Sequence, residues 1–564
     1  MLHYYKRVGD ILNKIKKNSF IQGAFVATFG IVISKILGMI YVIPFHSMIG
    51  DTGGALYGYA YNIYSIFLSI STAGIPLAIS SITSEYNTLE YYSVKEKVFK
   101  IARKYLSIVG IACFIILFIF ARQIASLIMG DISGGNSIED IALVIRAISF
   151  SILIVPTLSV YRGYLQGHKF ITPTSISQVL EQIIRVSIII VGSYLVVKVF
   201  NLPVKYAVVV ALLGATIGSI FSLVYLIYKR KKYKDVIKTD LVHEEEKKFS
   251  EKKLLKQILI CALPFIFSDL SKSLYNSVDT FFVVRTLVDL GYSVDTAETV
   301  MGVISTWGNK LNMIVVAIGT GFSVSLIPNL AASLVKNDKK DAEDKINLAL
   351  SSITYLVFPM TLGLSFLSKP VWNIFYGSSV YGPLVFRVSI IVAIVTVLLT
   401  TSVIIAFSFK EYKVLYIACL VGLIFNACFD VPLMYLLENF GVGYYGAIVS
   451  TILGNLLTIL IMLKVIQKRH NFSLTKAKKN IFYSLVFSLD MILCLYLLSF
   501  VININSTNRL YSVFIVAFYA LVGGAIYFGL TYKLKVVDKI FGKEYVDKIL
   551  GKVKRIFKKL LRKY

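Results

Sequence analysis

The sequence has few charged residues, few cysteines and no nucleotide-binding motif, and each scarcity excludes a class of protein. Charged residues make up only 16% of the 564 residues, whereas soluble proteins contain about 25%. The five cysteines include no C-x-x-C pair and give no sign of a disulfide framework or a zinc site. The chain contains neither a G-x-x-x-x-G-K-[ST] phosphate loop nor an H-E-x-x-H motif. We therefore expect that this chain is not an enzyme, has no catalytic residues and does not use ATP.

Long apolar runs dominate what the sequence does contain. Hydrophobic residues account for 57% of the chain, and the mean hydropathy is +0.74. About 20 apolar residues in a helix cross the ~30 Å hydrocarbon core of a bilayer. Runs of this length lie at 20–43, 57–81, 101–121, 141–161, 174–199, 206–228, 257–288, 300–330, 346–368, 384–408, 414–437, 444–467, 479–502 and 509–532. The fold class is therefore predicted to be an all-α polytopic membrane protein with about 14 transmembrane helices.

The positive charge is distributed unevenly between alternate connections. The formal net charge is +28, and most of the 59 lysines and arginines fall in the segments that are cytoplasmic if the N-terminus is cytoplasmic. This asymmetry follows the positive-inside rule. It predicts that both termini lie in the cytoplasm. The charge then indicates contact with anionic lipids rather than with nucleic acid.

The longest polar interruption, residues 229–256, leaves six spans before it and eight after it. A weak internal echo, Val210–Gly218 and Gly446–Gly454, opens the last span of each proposed lobe; such repeats are common in transporters. The tail from 533 has apolar residues at steps of three and four with basic flanks, which predicts a helix on the membrane surface. The predicted division is a basic N-terminus (1–19), an N-lobe (20–228), a cytoplasmic linker (229–256), a C-lobe (257–467), two further helices (479–532) and a basic amphipathic tail (533–564).

Residues 160–185 are the stretch with the densest polar pattern between two apolar runs. A turn is predicted at Arg162, Gly163, Gly167, His168 and Lys169. Glu181 and Arg185, four residues apart in the following run, share a helix face and can pair. A charged pair inside a span points to function. The pair can equally neutralise itself at a helix contact, and both interpretations stay open here.

Charged residues away from the span ends suggest a water-filled cavity. They are Lys35, Glu181, Arg185, Asp269, Lys272, Asp279, Lys310, Asp430 and Asp490. Each costs about 2.5 to 3.5 kcal/mol at mid-membrane unless it is paired or hydrated. Asp269 and Lys272 are three residues apart and can neutralise each other at a gate or a lobe contact.

Lys35 and Lys310 have no acidic residue at helical spacing in their own spans. Unpaired cations in a cavity suit an anionic substrate such as a phosphate or diphosphate. They can alternatively pair across helices with Asp490 or Asp279.

Asn426 and Asp430 lie four residues apart on one face of the eleventh span, and Pro432 is predicted to end regular helix just beyond them. Oxygen ligands beside a broken helix suit a small cation such as Na⁺. Asp279 and Thr451 would complete the shell if their spans are adjacent. Local hydrogen bonding explains the same residues without that adjacency.

Several of these motifs resemble one transporter family. Ser34-Lys-Ile-Leu-Gly38 is similar to the Ser-Arg-x-Leu-Gly motif of MurJ-type lipid II flippases. Three further motifs resemble the Gram-positive branch of this family, which includes stage V sporulation protein B and polysaccharide flippases. They are Arg162-Gly-Tyr-Leu-Gln-Gly167, Pro173-Thr-Ser-Ile-Ser-Gln178 and Glu181-Gln-Ile-Ile-Arg185.

The resemblance implies the fold of the multidrug and oligosaccharidyl-lipid exporter superfamily. Two six-helix lobes would form a V-shaped central cavity, and two C-terminal helices would form a groove for a lipid tail. Lys35 stands at the position of a cavity arginine of the family, and Lys310 falls close to another. Asn426 and Asp430 match the spacing of its sodium ligands, with Asp279 and Thr451 as companions. Tyr41 stands where a second arginine of the first span often lies, and a lysine lacks the bidentate fork with which arginine grips a diphosphate.

Together, the residues and the resemblance predict a flippase for a polyprenyl-diphosphate-linked cell-wall precursor, with lipid II as the favoured cargo. Alternating access would be coupled to Na⁺, to protons or to the membrane potential, and cell-wall synthesis proteins are expected partners. The alternatives are a flippase for another lipid-linked oligosaccharide, a sporulation-specific paralogue and a cation-coupled multidrug exporter. A membrane glycosyltransferase is disfavoured because the predicted outer loops are short.

Overall fold

The computed structural model describes residues 34, 37–38, 41–130, 135–237, 249–335, 338–504 and 508–541. Within these residues every regular element is helical: π-helices lie at Ile188–Gly192, Leu195–Val199 and Val303–Trp307, a 3-10 helix lies at Gly443–Tyr445, and the others are α-helices. In chain order they are α1 (Val42–Thr72), α2 (Ile75–Thr88), α3 (Tyr92–Ile119), α4 (Ala121–Met129), α5 (Ile138–Gly167), α6 (Ile171–Ser187), α7 (Val204–Lys232), α8 (Lys234–Ile237), α9 (Glu251–Asp289), α10 (Val294–Gly302), α11 (Gly308–Val335), α12 (Lys339–Phe366), α13 (Ser368–Tyr376), α14 (Tyr381–Ser389), α15 (Val392–Ser408), α16 (Tyr412–Glu438), α17 (Gly446–His470), α18 (Thr475–Ser499), α19 (Arg509–Lys533) and α20 (Val536–Phe541).

Twelve helical segments of the described chain are long and apolar enough to cross a membrane. Each of the twelve overlaps one of the fourteen predicted runs, and the all-α, multi-span fold class is confirmed. Of the other two runs, 20–43 lies mostly outside the described residues, and 300–330 coincides with α11. The number fourteen therefore stays a prediction.

The turn after α5 begins later than predicted. α5 continues to Gly167, so the placement of Arg162, Gly163 and Gly167 in a turn is wrong, whereas His168 and Lys169 do form the turn. The glycines serve packing instead: a Cβ on Gly163 would lie 2.7 Å from the Pro76 carbonyl oxygen. Arg162 is consequently a helical residue that projects from α5.

The prediction that regular helix ends at Pro432 is also wrong. α16 runs through Pro432 to Glu438. Proline removes only one helical hydrogen bond, and neighbouring turns can sustain the helix across it. Beyond the proline, the Glu438 carboxylate accepts hydrogen bonds from the Tyr292 hydroxyl at 2.8 Å and from the Gly443 backbone amide at 3.0 Å. These bonds hold the end of α16 close to the end of α9.

The helices group into two compact units that follow contacts rather than chain order. One unit comprises the described residues up to 310 together with 426–447, and the other comprises the described residues of 311–425 and 448–564. The predicted lobe boundaries divide the chain differently and stay a prediction.

Within the first unit, α9 packs along α1 and α2 through small and polar residues. Asn62 Nδ2 donates to Thr280 Oγ1 at 2.8 Å, and the Ser69 and Ser273 hydroxyls are 3.1 Å apart. Gly74, in the turn between α1 and α2, has φ 69°, and a Cβ there would lie 2.6 Å from Phe265 Cβ. Only glycine combines this backbone conformation with so close an approach.

Candidate functional site

The Glu181 carboxylate on α6 is shared by two arginines. Its Oε2 accepts a 2.8 Å hydrogen bond from Arg162 Nη2 on α5, and its Oε1 accepts a 2.7 Å bond from Arg185 Nη2 one turn along α6. The three side chains are only 15 to 23% exposed. Arg162 also donates to the Ser177 and Ser222 hydroxyls, both at 3.1 Å. Two cations face one anion, so the cluster carries one surplus positive charge.

The close packing of α7 against α6 supports this cluster from behind. A Cβ on Gly218 would lie 2.7 Å from the Glu181 carbonyl oxygen, and one on Gly214 would lie 3.2 Å from the Arg185 carbonyl oxygen. Small residues four apart allow two membrane helices to approach this closely. The two glycines thus set the positions at which Glu181 and Arg185 pack against α7.

A row of tyrosines on α1 lies between Arg185 and Lys310. The Tyr57 and Tyr61 rings stack with centroids 5.8 Å apart, and Tyr61 and Tyr64 follow at 5.7 Å. Arg185 is close enough for its charge to act on all three tyrosines, and Lys310 acts in the same way on Tyr57. Tyr57 and Tyr64 are buried and Tyr61 is 36% exposed, so Tyr61 is the ring of the row that a ligand can reach.

Lys310, the predicted diphosphate ligand of the eighth span, lies over an aromatic ring. Its Nζ is 5.5 Å from the centroid of Tyr41, within the range of a cation–π contact. In the described part of the chain no carboxylate forms an ion pair with Lys310, so the alternative pairing with Asp279 or Asp490 is not seen. Tyr41, the departure from the family pattern, therefore supplies the contact that positions this lysine.

Lys35, the other predicted diphosphate ligand, lies outside the described residues. Its neighbours Ser34 and Gly38 are described, and a Cβ on Gly38 would lie 3.3 Å from Gln182 Nε2 on α6. Gly38 therefore lies beside Gln182, the residue that follows Glu181 on α6.

These groups together suit an anionic ligand with hydroxyl groups. Arginine and lysine side chains form charge-assisted hydrogen bonds with phosphate oxygens. A tyrosine hydroxyl both donates and accepts hydrogen bonds, so it can serve a phosphate or a sugar.

Asp269 and Lys272 form a weak pair by comparison. Lys272 Nζ lies 3.9 Å from Asp269 Oδ1, and the side chains are 34% and 57% exposed, respectively. Exposed pairs contribute about 0 to 1 kcal/mol. Their role at a gate stays a prediction.

Asp279 on α9 and Asp430 on α16 form a second, acidic site in the first unit. Both are buried, as is Asn426, and the two carboxylates are close enough for their charges to interact. Among the described residues, neither Asp430 oxygen has a hydrogen-bond partner, and Asp279 Oδ1 also lacks one. Buried carboxylates need a compensating cation or proton, so this donor set fits a small cation. Thr451 is buried in the other compact unit, and its participation stays a prediction.

The second unit contains an apolar groove of about 370 Å³ between α12, α18 and α19. Its walls include Pro359, Gly363, Met491, Gly523 and Phe528. Tyr355 closes one end, where its hydroxyl and that of Thr531 are 2.9 Å apart and its carbonyl accepts from Tyr527 at 2.9 Å. An extended hydrocarbon chain fits this shape and polarity.

Sequence reasoning missed Arg162 as a partner of Glu181, and it missed the tyrosine row. The sequence pattern predicts Arg162 in a turn, and a residue in a turn is not expected to contact Glu181 on α6. A signal for the row was present, because Tyr57, Tyr61 and Tyr64 follow the i, i+4, i+7 spacing of one helix face.

Comparison with known proteins gives consistent matches. The model of the family described as polysaccharide biosynthesis protein matches residues 20–332, more than half of the chain. The lipid II flippase MurJ of Bacillus subtilis is 31% identical over 535 residues, which cover 93% of this chain and 97% of that protein. Stage V sporulation protein B of the same organism is 23% identical, over 64% of this chain and 68% of that protein.

Solved structures show the same fold at lower sequence identity. The inward closed conformation of a lipid II flippase MurJ superposes with a TM-score of 0.62 at 17% identity, over 90% of this chain and 99% of that chain. An inward-facing multidrug resistance transporter of the MATE family superposes with a TM-score of 0.60 at 16% identity, over 79% and 98% of the two chains. The chain thus has the fold of multi-span exporters.

Proposed function

The chain belongs to the polysaccharide biosynthesis protein family and is a multi-pass protein of the bacterial cytoplasmic membrane. We propose that it is a lipid II flippase. It would move this polyprenyl-diphosphate-linked cell-wall precursor from the inner to the outer leaflet by alternating access. The observation that carries the proposal is the 31% identity to a lipid II flippase over nearly the full length of both proteins.

The basic and tyrosine-rich surface of the first unit would bind the head of the substrate. Lys310, held over Tyr41, and Lys35 supply the charges that neutralise the diphosphate. Lysine acts as a point charge on a flexible stem, so it can follow the diphosphate while the cavity changes shape. The hydroxyl of Tyr61, the exposed member of the row, provides hydrogen bonds to phosphate or sugar oxygens. The buried Tyr57 and Tyr64 pack against its ring.

The Arg162–Glu181–Arg185 cluster would position that surface. Arg162 ties α5 to α6 through Glu181, and Glu181 orients Arg185 toward the tyrosines. A rigid link of this kind transmits a movement of α5 to the substrate surface. We therefore assign the cluster to a gate or lobe contact, with Asp269 and Lys272 as a weaker second contact.

Asp279, Asn426 and Asp430 would hold the coupling cation. A bound Na⁺ or a proton would neutralise the buried carboxylates and so favour one state of the transport cycle over the other. The membrane potential would supply the same bias if no cation is coupled.

The groove between α12, α18 and α19 would hold part of the polyprenyl tail, because its lining is apolar and a tail in lipid needs no polar partner. Both termini would lie in the cytoplasm, on the side where the precursor is made. The inferred role is therefore transport without a chemical reaction.

Rescue of a bacterium depleted of its own lipid II flippase tests the proposal. The quantity to score is the fraction of lipid II that is cleaved by an enzyme added outside the cell. Rescue by the wild type, with loss of rescue in Lys35→Ala and in Lys310→Ala, is the expected result. No rescue by protein that is present in the membrane would redirect the assignment to another lipid-linked oligosaccharide or a sporulation-specific cargo.

A further inference from the structure

A second, polar cavity lies in the second unit beside the apolar groove. It has a volume of about 380 Å³ and lies between the first turns of α18, the first half of α12 and the short helix α20. Its polar lining includes Lys476, Lys479, Lys539, Asp344 and Tyr483. Nothing in the proposed transport mechanism uses these residues.

The charge in this cavity is positive in excess. Lys476 is paired with Asp344, with Nζ 2.7 Å from Oδ1. Lys479 and Lys539 form no ion pair with any carboxylate that the structure describes; Lys479 Nζ lies 5.9 Å from the centroid of Tyr483. Two ammonium groups and the Tyr483 hydroxyl are thus available to an anion, with one carboxylate already neutralised.

The polar cavity adjoins the apolar groove along the same helices. Ser351, in the wall of the polar cavity, is one turn from Tyr355, which lines the groove. On α18, Tyr483 lines the polar cavity, and Met491, two turns further along the helix, lines the groove. α20 spans the junction, because Ile540 lines the polar cavity and the Phe541 ring lies 5.6 Å from that of Tyr355. The pair of cavities has the polarity of an amphipathic lipid, with its head at the lysines and its chain in the groove.

We propose that Lys479 and Lys539, with Tyr483, form a binding site for the phosphate group of a membrane lipid whose hydrocarbon chain occupies the adjoining groove. The ligand is either a polyprenyl diphosphate or an anionic phospholipid, which share a phosphate at the membrane interface. The polyprenyl assignment rests on the proposed function and would make the cavity a loading site for the substrate. The phosphate site itself does not depend on it.

Lysine suits this task better than a preformed arginine fork. A flexible point charge accepts a monoester, a diester or a diphosphate without a fixed geometry. Lysines at the membrane surface can also extend toward water merely to hydrate their charge, in which case neutralising them would leave lipid binding unchanged. That difference makes the proposal testable.

The experiment measures lipid binding by the full-length protein in two kinds of nanodisc. One kind contains neutral phosphatidylcholine with added undecaprenyl diphosphate, and the other contains phosphatidylcholine with phosphatidylglycerol as the only anionic lipid. The test variant is Lys479→Ala/Lys539→Ala. The control variant is Lys478→Ala/Lys533→Ala, which removes two exposed lysines, one on α18 and one at the end of α19, that do not line the cavity.

The test variant should bind the probe at least tenfold more weakly, because each lysine near a lipid phosphate contributes about fivefold, while the control variant binds as the wild type does. Loss confined to undecaprenyl diphosphate identifies a substrate-loading site, and loss confined to phosphatidylglycerol identifies a phospholipid site. Equal binding by test and control variants in both nanodiscs overturns the proposal.

A second measurement covers a test variant that does not fold. A photoactivatable phosphate lipid is cross-linked to the wild-type protein, and the adducts are mapped. Adducts on the first turns of α18 and on α20 are expected, and adducts confined to other helices contradict the site. The rescue assay separates this inference from the proposed function, because a protein that fails to move lipid II can still bind phosphatidylglycerol at these lysines.

Discussion

Arg162 on α5 donates a 2.8 Å hydrogen bond to Glu181 on α6, across the turn that separates the two helices. The bond joins two helices and leaves the second carboxylate oxygen for Arg185. Removal of the carboxylate charge would leave two largely buried guanidinium groups with no anion, which is more costly than the loss of one hydrogen bond.

Glu181→Gln should therefore lower the free energy of unfolding by about 3 to 5 kcal/mol, measured by denaturant titration in detergent. Glu139→Gln is the matched control, because the Arg122–Glu139 pair is 70% and 63% exposed and such pairs contribute about 0 to 1 kcal/mol. Equal destabilisation by the two variants would show that the Arg162–Glu181–Arg185 cluster contributes no more to the free energy of unfolding than an exposed ion pair does.

The contact between α7 and α6 predicts a strong effect for a single added methyl group. Gly218→Ala places a Cβ 2.7 Å from the Glu181 carbonyl oxygen, so the helices must separate, at a cost of about 1 to 3 kcal/mol. Gly529→Ala, which meets nothing within 4 Å, should be neutral or slightly stabilising. Thermal unfolding of both variants measures the difference, and a stable Gly218→Ala protein with full transport would refute the close contact.

Lys310→Ala should reduce transport by about 10- to 150-fold while the protein still inserts, because a hydrogen bond to a charged group contributes about 1.5 to 3 kcal/mol. Lys310→Arg keeps the charge and should retain a measurable rate. Lys339→Ala, on the exposed first turn of α12, is the control for a general loss of positive charge. The rate is read from the external cleavage of lipid II, and an unchanged rate in Lys310→Ala removes this lysine from the substrate site.

The acidic site predicts a specific response to sodium. A cation that binds only the folded state raises its stability by RT ln(1 + [L]/Kd). The melting temperature of the wild type should therefore rise when Na⁺ replaces choline at constant ionic strength. Asp430→Asn should abolish the shift, whereas Asp490→Asn, on an exposed part of α18, should preserve it. A sodium shift that survives in Asp430→Asn would place the cation elsewhere.

The sequence was sufficient to predict most helices, because an apolar run of about 20 residues has few alternatives in a bilayer. It was also sufficient for the Glu181–Arg185 pair, whose spacing is local. The contacts of Arg162 with Glu181 and of Lys310 with Tyr41 depend on which helices are neighbours, and helical periodicity carries no such information. The outcome at Pro432 could not be predicted, because a proline can either end a membrane helix or be accommodated within it.

Purified protein in liposomes shows whether this chain itself moves lipid II between leaflets. Lipid II is incorporated in both leaflets, and the fraction accessible to an added cleaving enzyme is followed with time under an imposed sodium gradient or membrane potential. Wild-type protein should make the protected fraction accessible, and the Lys310→Ala variant should not. Protein-free and wild-type liposomes with the same protected fraction, under every imposed gradient, would contradict the proposed function.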